Sequence, residues 1–450
     1  MTAAGNKSVV AAKGRVRGSA SGPLSGAVYA PGDKSISHRA LIFGALSEGE
    51  TVISGLLPGE DVMRTAAALR ALGADIERLQ GQVWRVVKGG AWRPPEKPLY
   101  FGNSGTGARL VMGAVASAGI AASFDGDQSL RSRPMGRVLE PLRMMGLQAD
   151  DNAGRLPVRI GAGAKLSAIN VRLATASAQV KSAILLAALG AAGKTRIHEP
   201  VPCRDHTERM LRIFGAILTI EDDNAGGRYI EIEGGQRLTA HEVTVPGDSS
   251  SAAFLVAAAV ITPGSDIVVK NVLANPLRTG FYETLREMGA DIAFENQREA
   301  SGEPVADIRA RHSILAGVEV PPERAPSMID EFPILAIAAS FANGETRMTG
   351  LAELRVKESD RIAAMETGLV ACGVDAASGE DWLRIRGDGA PPAGGAHIKT
   401  RHDHRIAMSF LAMGLACREP VEIDDASIIA TSFPDFISLI RSLGGEIDLV

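Results

Sequence analysis

Residues 30–40 read Ala-Pro-Gly-Asp-Lys-Ser-Ile-Ser-His-Arg-Ala, and part of this stretch returns at residues 245–251 as Val-Pro-Gly-Asp-Ser-Ser-Ser. Proline and glycine interrupt regular structure, and an aspartate or serine before an apolar run is a common helix N-cap. An apolar run follows each copy, at residues 36–46 and 252–261. Each copy therefore predicts a turn that opens a helix, and the pair predicts a chain of two homologous halves.

The first copy carries two cations, Lys34 and Arg39, close to the predicted helix start. Free N–H groups and the positive end of the helix dipole at such a place suit an anion. The spacing of glycine and lysine is not that of a Walker loop. From this stretch alone, an anion site and an ordinary strand-to-helix turn both stay open.

A second repeat is finer than the halves. Residues 69–76 read Leu-Arg-Ala-Leu-Gly-Ala-Asp-Ile, and residues 285–292 read Leu-Arg-Glu-Met-Gly-Ala-Asp-Ile. Glycine after an apolar helix end is typical of a left-handed C-cap. This ending occurs six times, at Gly73, Gly146, Gly215, Gly289, Gly373 and Gly444. The spacing, roughly 70 to 85 residues, is too long for a solenoid repeat and predicts six α/β units of two helices and three or four strands each.

The two Pro-Gly-Asp copies also predict where the chain passes between domains. We expect crossings near Pro31 and Pro246, so that residues 1–30 join residues 245–450 in a discontinuous first domain. Residues 31–244 would form the second domain. Ligand sites favour domain interfaces, so both turns should border the cleft that holds the active site.

Composition restricts the class of protein. The 450 residues are 45% hydrophobic, which indicates a globular chain, and a net charge of −4 with 4% aromatic residues argues against a nucleic-acid-binding protein. The three cysteines show neither metal spacing nor a disulfide framework. No apolar run is long enough to span a bilayer, and residues 1–17 read as a short lead-in without a secretory signal. We therefore expect a cytoplasmic protein with no membrane partner.

Cations stand at the predicted starts of several helices, in a chain that is acidic as a whole. They are Lys34, Arg39, Arg133, Arg204, Lys357, Arg361 and Arg405. Each alone would more often be a solvated surface side chain. Two halves that close on each other could bring them together around small molecules with several negative charges.

Two carboxylates, Asp330 and Glu358, stand among these cations in sequence. They could simply stabilise helix starts or form salt bridges, or they could transfer protons within a cationic site. Arg133 precedes Pro134, which we expect in the first turn of a helix. His402 and His404 have no further ligands at useful spacing, so we predict no metal there.

Five segments of the chain, in this order, resemble the 5-enolpyruvylshikimate-3-phosphate synthase family. They are residues 31–40, 102–109 (Gly-Asn-Ser-Gly-Thr-Gly-Ala-Arg), 133–135, 357–361 (Lys-Glu-Ser-Asp-Arg) and 403–408 (Asp-His-Arg-Ile-Ala-Met). Residues 176–179 and 432–434 resemble the bacterial branch that includes glyphosate-tolerant members. The resemblance implies an α/β fold with two similar inverse α/β barrel domains, each of three βαβαββ units, which agrees with the six repeats.

The resemblance also implies an activity. Such enzymes transfer the enolpyruvyl group of phosphoenolpyruvate to the 5-hydroxyl of shikimate 3-phosphate and release phosphate, on the shikimate pathway to chorismate and the aromatic amino acids. Neither a cofactor nor a metal is implied, and the partners are the two small-molecule substrates of a monomeric enzyme.

Site residues follow from the same motifs. Shikimate 3-phosphate would be held by Lys34, Ser35, Arg39, Ser177, Ala178, Gln179, Arg204, Asp330 and Lys357. Phosphoenolpyruvate would be held by Lys34, Gly105, Arg133, Gln179, Arg361 and Arg405. Asp330 would accept the proton of the attacking hydroxyl, and Glu358 and Lys34 would transfer protons at the methylene carbon and during loss of phosphate, in an order that the sequence leaves open.

The chain departs from the family pattern in two places. Thr431 stands where many members carry a lysine, so that cation is missing or supplied elsewhere. Gly105 lacks the methyl group that crowds glyphosate in some members, which predicts sensitivity unless Leu110, a proline in other members, reshapes the loop.

Two other functions share features with this chain. An enolpyruvyl transferase that acts on a UDP-sugar shares the six-fold repeat but uses a reactive loop cysteine and another anion-binding pattern. An RNA-end-processing or RNA-binding protein built on similar units is disfavoured by the acidic net charge, the scarcity of aromatic residues and the lack of a basic run in the sequence.

Overall fold

A computed structural model describes residues 14–450, and residues 1–13 of the expected lead-in lie outside the described residues. The described residues form two hydrophobic clusters. One takes its residues from 16–30 and 252–447, and the other takes its residues from 36–245 together with Leu273. The lead-in was expected to reach residue 17, but Arg17 already lies in the first strand.

The strands are β1 (Val16–Ser19), β2 (Ser25–Tyr29), β3 (Glu50–Ser54), β4 (Asp75–Arg78), β5 (Val83–Val87), β6 (Leu99–Tyr100), β7 (Ala122–Asp125), β8 (Ala149–Asn152), β9 (Arg155–Ile160), β10 (Asn170–Arg172), β11 (Lys194–Glu199), β12 (Leu218–Asp222), β13 (Arg228–Glu233), β14 (Val243–Thr244), β15 (Asp266–Leu273), β16 (Asp291–Ala300), β17 (Glu303–Arg311), β18 (Glu319–Val320), β19 (Asn343–Met348), β20 (Asp375–Ser378), β21 (Leu383–Asp388), β22 (His397–Ile398), β23 (Val421–Ile423) and β24 (Glu446–Leu449).

The helices are α1 (Lys34–Leu46), α2 (Glu60–Leu72), α3 (Gly105–Ala118), α4 (Gln128–Ser132), α5 (Gly136–Met144), α6 (Ala178–Ala188), α7 (His206–Ile213), α8 (Ser249–Ile261), α9 (Gly280–Glu287), α10 (Ala325–Met328), α11 (Phe332–Ser340), α12 (Arg361–Ala371), α13 (His404–Gly414) and α14 (Phe436–Ser442). Within this described stretch, no helix is both long and apolar enough to cross a bilayer.

The strands of residues 14–450 form six sheets of four strands each, and their orders repeat one pattern. In the sheet β10-β11-β13-β12, for example, the first pair is parallel and the next two are antiparallel. The predicted six α/β units are therefore confirmed. The strands of the sheet β14-β3-β5-β4 all lie between the two Pro-Gly-Asp turns, whereas the sheet β16-β17-β15-β2 takes β2 from before the first turn, and β1 completes β22-β23-β1-β24.

Six helices, one from each unit, form the interior of the molecule. Helices α8, α11 and α13 are buried along their whole length, and beyond their first turns they are almost entirely apolar. Helices α1, α3 and α6 fill the same role in the other cluster. A helix without a polar face must be enclosed on all sides, so the sheets lie outside these inner helices, as the inverse α/β arrangement requires.

The other principal helix of each unit is amphipathic and ends at one of the repeated glycines. All six glycines adopt positive φ, from 80° at Gly373 to 111° at Gly73. A side chain would strain the backbone in this region. The predicted left-handed C-caps are therefore confirmed.

The two Pro-Gly-Asp turns lie side by side and exchange hydrogen bonds. The N–H of Asp33 donates to the Pro246 carbonyl at 2.8 Å, and the N–H of Asp248 donates to the Pro31 carbonyl at 2.7 Å. Each aspartate also caps its own helix, α1 or α8, through its side chain. A Cβ on Gly32 would lie 1.9 Å from the Gly55 carbonyl oxygen, so the close approach requires glycine.

Two local predictions are wrong. The start of α1 was expected to offer free N–H groups, but the N–H of Lys34 donates to Asp248 and that of Ile36 donates to Asp33. Pro134 was expected in the first turn of a helix, but α5 begins at Gly136. Any anion near α1 must therefore be bound largely by side chains.

Gly113→Ala should destabilise the contact between α3 and α6. A Cβ at Gly113 would lie 2.3 Å from the Ala183 carbonyl oxygen and 2.8 Å from its Cα. Overpacking of this kind costs about 1–3 kcal/mol, although alanine in an unconstrained helix is about 1 kcal/mol more favourable than glycine. The urea midpoint of unfolding should fall.

Gly22→Ala is the matched control, because its added Cβ would meet no atom within 4 Å. Its midpoint should stay that of the wild type. A Gly113→Ala protein as stable as this control would contradict the proposed packing.

Candidate active site

A cavity of about 510 Å³ lies between residues of the two clusters, beside the paired turns. Thirteen of the fourteen predicted site residues line it, namely Lys34, Ser35, Arg39, Gly105, Arg133, Ser177, Ala178, Gln179, Arg204, Asp330, Lys357, Glu358 and Arg405. Arg361 does not line it. Lys34 and Arg405, more than 370 positions apart in the chain, thus line the same cavity.

The N-terminal ends of the inner helices supply much of the lining. Lys34 begins α1, Gly105 begins α3, and Gln179 is the second residue of α6. Ser250 and Arg405 hold the corresponding positions in α8 and α13, and Asp330 precedes α11 by two residues. Helix N-termini carry partial positive charge, which favours anions in this cavity.

The charged side chains favour anions as well. In the described part of the chain, nine lysines and arginines line the cavity against six aspartates and glutamates, although the whole chain carries a net charge of −4. The imidazole of His404, which also lines the cavity, adds no charge. Its burial, and to a smaller extent the nearby positive charge of Lys34, lower its pKa to about 3. The cavity is therefore cationic at neutral pH.

Asp330 is surrounded by cations from both clusters. Its carboxylate accepts a hydrogen bond from Arg204 Nη2 at 2.7 Å, and its Oδ1 lies 3.3 Å from Arg361 Nη1 and 3.5 Å from Lys357 Nζ. Its backbone carbonyl accepts a bond from Arg405. Burial alone would raise the pKa of Asp330, but Lys357, Arg405, Arg204 and Arg361 outweigh it and hold the pKa well below its usual value. The carboxylate is therefore ionised and can accept a proton.

Glu358 forms the second carboxylate centre. It accepts a hydrogen bond from Arg361 Nη2 at 2.6 Å, and its other oxygen lies 3.9 Å from Arg133 Nη1. Its pKa is also held well below the usual value, because Arg361 and Arg133 outweigh the opposing effect of burial. Glu358 and Asp330 are thus linked through the same arginine.

Arg361 itself is enclosed behind the wall of the cavity. Its side chain is 1% exposed, and its guanidinium pairs with Asp403, Glu358 and Asp330. The sequence predicts that Arg361 contacts a substrate directly. In the structure its N–H groups are paired with these three carboxylates instead.

Lys34 and Arg39 differ in what holds them. Lys34 Nζ pairs with Asp61 at 3.0 Å and is partly exposed to the cavity. Arg39 is almost wholly buried and donates to Thr207, Ser182 and the Ser35 carbonyl. Since these partners of Arg39 are neutral, its charge is left for an anion.

The glycine-rich segment closes one end of the cavity. Gln179 accepts a bond from Arg109 Nη1 at 2.5 Å and donates to Thr106 Oγ1 at 2.8 Å. A Cβ on Gly105 would lie 3.1 Å from Arg109 Nη1 and 3.3 Å from Arg133 Nη1. The missing methyl group therefore leaves room beside these two guanidinium groups.

Several lining residues were not predicted. Arg137 and Glu353 form an ion pair at 2.8 Å and line the cavity. Arg109, the last residue of the segment 102–109, lines it as well. Arg137 lies four residues after Arg133, which would place both on one face of a helix. This spacing is misleading here, because α5 begins only at Gly136, after Pro134. Nothing in sequence pairs Arg137 with Glu353, over 200 residues away.

The structure also places Thr431 and the two histidines, His402 and His404. Thr431 donates to the Ile428 carbonyl and does not line the cavity. His402 is exposed, whereas His404 lines the cavity. Among the described residues, the only cluster with metal-ligand geometry is Asp205, His206 and Glu303.

The Asp205 cluster is already satisfied by protein groups. His206 Nδ1 lies 2.7 Å from Glu303 Oε1, and Asn275 Nδ2 donates to both carboxylates. A further cation, Arg209, donates to Asp205 at 2.9 Å. A metal ion would have to displace these bonds, so the donor set fits a structural network better than a metal site.

Comparison with known proteins agrees with the geometry. Residues 19–440 match the family described as EPSP synthase (3-phosphoshikimate 1-carboxyvinyltransferase). A 3-phosphoshikimate 1-carboxyvinyltransferase of Parvibaculum lavamentivorans is 56% identical over 429 residues, covering 95% of each chain. One from Caulobacter vibrioides is 54% identical over 430 residues, covering 95% of this chain and 97% of that protein.

A solved structure has the same fold. EPSP synthase from Acinetobacter baumannii superposes with a TM-score of 0.86 at 43% identity, over 97% of this chain and 100% of that chain. These matches cover the six units and the residues that line the cavity. The chain therefore belongs to the EPSP synthase (3-phosphoshikimate 1-carboxyvinyltransferase) family.

Proposed function

We propose that this protein transfers the enolpyruvyl group of phosphoenolpyruvate to the 5-hydroxyl of shikimate 3-phosphate and releases phosphate. The observation that carries the proposal is the position of Asp330, an ionised carboxylate among Arg204, Lys357 and Arg361 in a cationic cavity. Two substrates that each bear a phosphate and a carboxylate need such an excess of cations. A hydroxyl nucleophile also needs a nearby base. The reaction belongs to the route to chorismate and the aromatic amino acids.

We assign the substrates to two parts of the cavity. The residues proposed for shikimate 3-phosphate are Lys34, Ser35, Arg39, Ser177, Ala178, Gln179, Arg204, Asp330 and Lys357. Those proposed for phosphoenolpyruvate are Lys34, Gly105, Arg133, Gln179 and Arg405, with Arg361 enclosed behind them. Lys34, which begins α1, and Gln179, which bonds the glycine-rich segment, belong to both sets and so stand where the two substrates meet. Arg361 acts in this scheme by holding Asp330 and Glu358 in place.

The proposed reaction has an addition and an elimination. The 5-hydroxyl oxygen forms a bond to C2 of phosphoenolpyruvate while its proton passes to Asp330, and the methylene carbon C3 takes a proton from the ammonium group of Lys34, because the Glu358 carboxylate is ionised and has none to give. This gives a tetrahedral adduct. The methyl group then returns a proton to the protein as the C2–O bond to phosphate breaks. Cations around the phosphate stabilise the charge in both steps.

A UDP-sugar acceptor is not favoured. The enzymes that use it depend on a reactive loop cysteine, and Cys203 is the cysteine at this cavity. Burial raises the pKa of Cys203 to about 12, and its thiol donates to Glu199 at 2.7 Å. A buried neutral thiol is a poor nucleophile.

We also propose the division of the chain that serves this site. Residues 14–30 with 245–450 would form one domain and 31–244 the other, with the crossings at Pro31 and Pro246. The membership of the two hydrophobic clusters supports these boundaries. Since one chain supplies all the lining residues described above, we propose a monomeric enzyme, working in the cytoplasm.

Lys34→Met and Asp330→Ala should each lower phosphate release from shikimate 3-phosphate and phosphoenolpyruvate by at least about 100-fold. The first change removes a cation from the meeting point of the substrates, and the second removes the base. A coupled phosphate assay measures both, and melting curves verify that the variants fold.

The control is Lys88→Met, since Lys88 pairs with Glu48 away from the cavity. It should keep the wild-type rate. Near-wild-type turnover in either site variant would refute the role assigned to that residue, and turnover only with a UDP-sugar would refute the proposed acceptor.

Gly105→Ala should weaken inhibition by glyphosate, measured against phosphoenolpyruvate, by about tenfold or more. The added methyl group must displace the guanidinium groups of Arg109 or Arg133, which lie within 3.3 Å of it. Loss of a fitted charged contact costs on the order of 1.5–3 kcal/mol.

Gly161→Ala, whose added Cβ would have only an ordinary contact at 3.6 Å, provides the comparison. Its inhibition constant should match that of the wild type. Equal inhibition constants in the wild type and Gly105→Ala would defeat the steric argument.

A further inference from the structure

A buried charge cluster lies behind the part of the cavity wall that carries Arg204. It consists of Lys181 on α6, Glu199 at the end of β11, Glu208 on α7 and Arg228 at the start of β13, and we call it the Lys181 cluster. The side chains of Lys181 and Glu199 are 0% exposed. Neither Lys181 nor Glu208 lines the cavity, so the cluster has no place in the mechanism above.

The cluster is closely paired. Lys181 Nζ lies 2.8 Å from Glu199 Oε1 and 2.7 Å from Glu208 Oε1, and Arg228 Nε donates to Glu199 Oε2 at 2.6 Å. Burial opposes charge on Lys181, but Glu208 and Glu199 outweigh it and raise its pKa above the usual value. Two cations thus face two carboxylates, and the cluster is neutral as a whole.

The cluster also holds the backbone of Cys203. The N–H of Cys203 donates to Glu199 Oε1 at 3.1 Å. Its carbonyl oxygen accepts from Lys181 Nζ at 3.2 Å and from Arg228 Nη2 at 3.0 Å. Two N–H groups of the Lys181 ammonium thus face carboxylates, and the third donates to the backbone carbonyl of Cys203.

Arg204 follows directly, and its other neighbour is fixed as well. Asp205 accepts from Arg209 Nε at 2.9 Å and from Asn275 Nδ2 at 2.7 Å. The backbone of Cys203 on one side of Arg204 and the side chain of Asp205 on the other are thus both held, and the Arg204 guanidinium donates to Asp330 at 2.7 Å.

We propose that Lys181 is a positioning residue for Arg204, acting through the Cys203 carbonyl group, and that it thereby sets the affinity for the phosphorylated acceptor. This inference rests on the proposed function, in which Arg204 binds shikimate 3-phosphate. Stability alone would be served at least as well by an apolar cluster, because desolvating buried charges offsets their attraction. Placement of a charged ligand, by contrast, depends on a rigid support.

The test removes Lys181 without leaving an unpaired charge. The double variant Lys181→Met/Glu208→Gln deletes one cation and one carboxylate, so Glu199 and Arg228 still neutralise each other. The KM for shikimate 3-phosphate should rise about tenfold, the loss of roughly one well-placed hydrogen bond to a charged group. The KM for phosphoenolpyruvate should stay within about twofold, because none of its proposed ligands adjoins Cys203.

The matched control is Lys194→Met/Glu231→Gln. This is the same neutral pair of changes at a 3.3 Å ion pair on the same sheet, with Lys194 exposed. It should leave both KM values unchanged. If the buried double variant does not fold, Lys181→Arg replaces it. That variant keeps the charge but carries its donors on a planar group, and it should raise only the KM for shikimate 3-phosphate, by about threefold.

An Arg204→Met background separates positioning from a general effect on the core. If Lys181 acts through Arg204, adding Lys181→Met/Glu208→Gln to the Arg204→Met protein should cause no further rise in the KM for shikimate 3-phosphate. The same rise in both backgrounds, an equal rise for both substrates or no rise at all would overturn the inference. A wild-type protein that releases no phosphate from the two substrates would instead refute the proposed function.

Discussion

The ion pair between Arg278 and the two turn aspartates holds the centre of the molecule together. Arg278 is buried and donates to Asp33 at 3.0 Å, and its other terminal nitrogen lies 3.8 Å from Asp248. Both carboxylates already cap inner helices, so one cation fixes two helix starts, one from each cluster. Removing a partner from such a buried pair typically costs about 3–5 kcal/mol. The cavity depends on this junction, because Lys34 directly follows Asp33 and Ser250 lies two residues after Asp248, and both line the cavity.

The two turns show how a repeated structure acquires one active site. Both copies keep the aspartate cap, at 2.8 Å in the first and 2.9 Å in the second. The first copy adds Lys34 and Arg39, whereas the second has Ser249 and Phe254 at those positions. The shared residues thus build the crossing, and the residues that differ carry the charges of the cavity.

Much of the fold could be predicted from the sequence because its signals are local. The left-handed C-cap at Gly73 can be predicted from a few neighbouring residues. The burial of α8 can be predicted in the same way, because its sequence has no polar face. The direction of side chains is not local. Arg361 stands in a recognisable motif, yet Asp403, more than forty residues later, holds it behind the cavity wall.

The residues that sequence reasoning missed have the same explanation. Arg137 reveals its role only when Glu353 is seen opposite, and Lys181 only when β11 and β13 bring Glu199 and Arg228 around it. A lysine in an apolar helix gives no hint of its partners in sequence.

The cations around Asp330 also make the basicity of this carboxylate depend on whether anions are bound in the cavity. In the free cavity they keep the carboxylate ionised, but they make it a weak base at the same time. In the proposed function, a phosphate or carboxylate group that binds Arg204 or Lys357 would neutralise part of their charge and so raise the pKa of Asp330. The carboxylate therefore becomes a stronger base as the anions enter, and an empty cavity has little power to remove protons from water or a stray hydroxyl. In the proposed scheme, Asp330 thus becomes an effective base only when the substrates are bound.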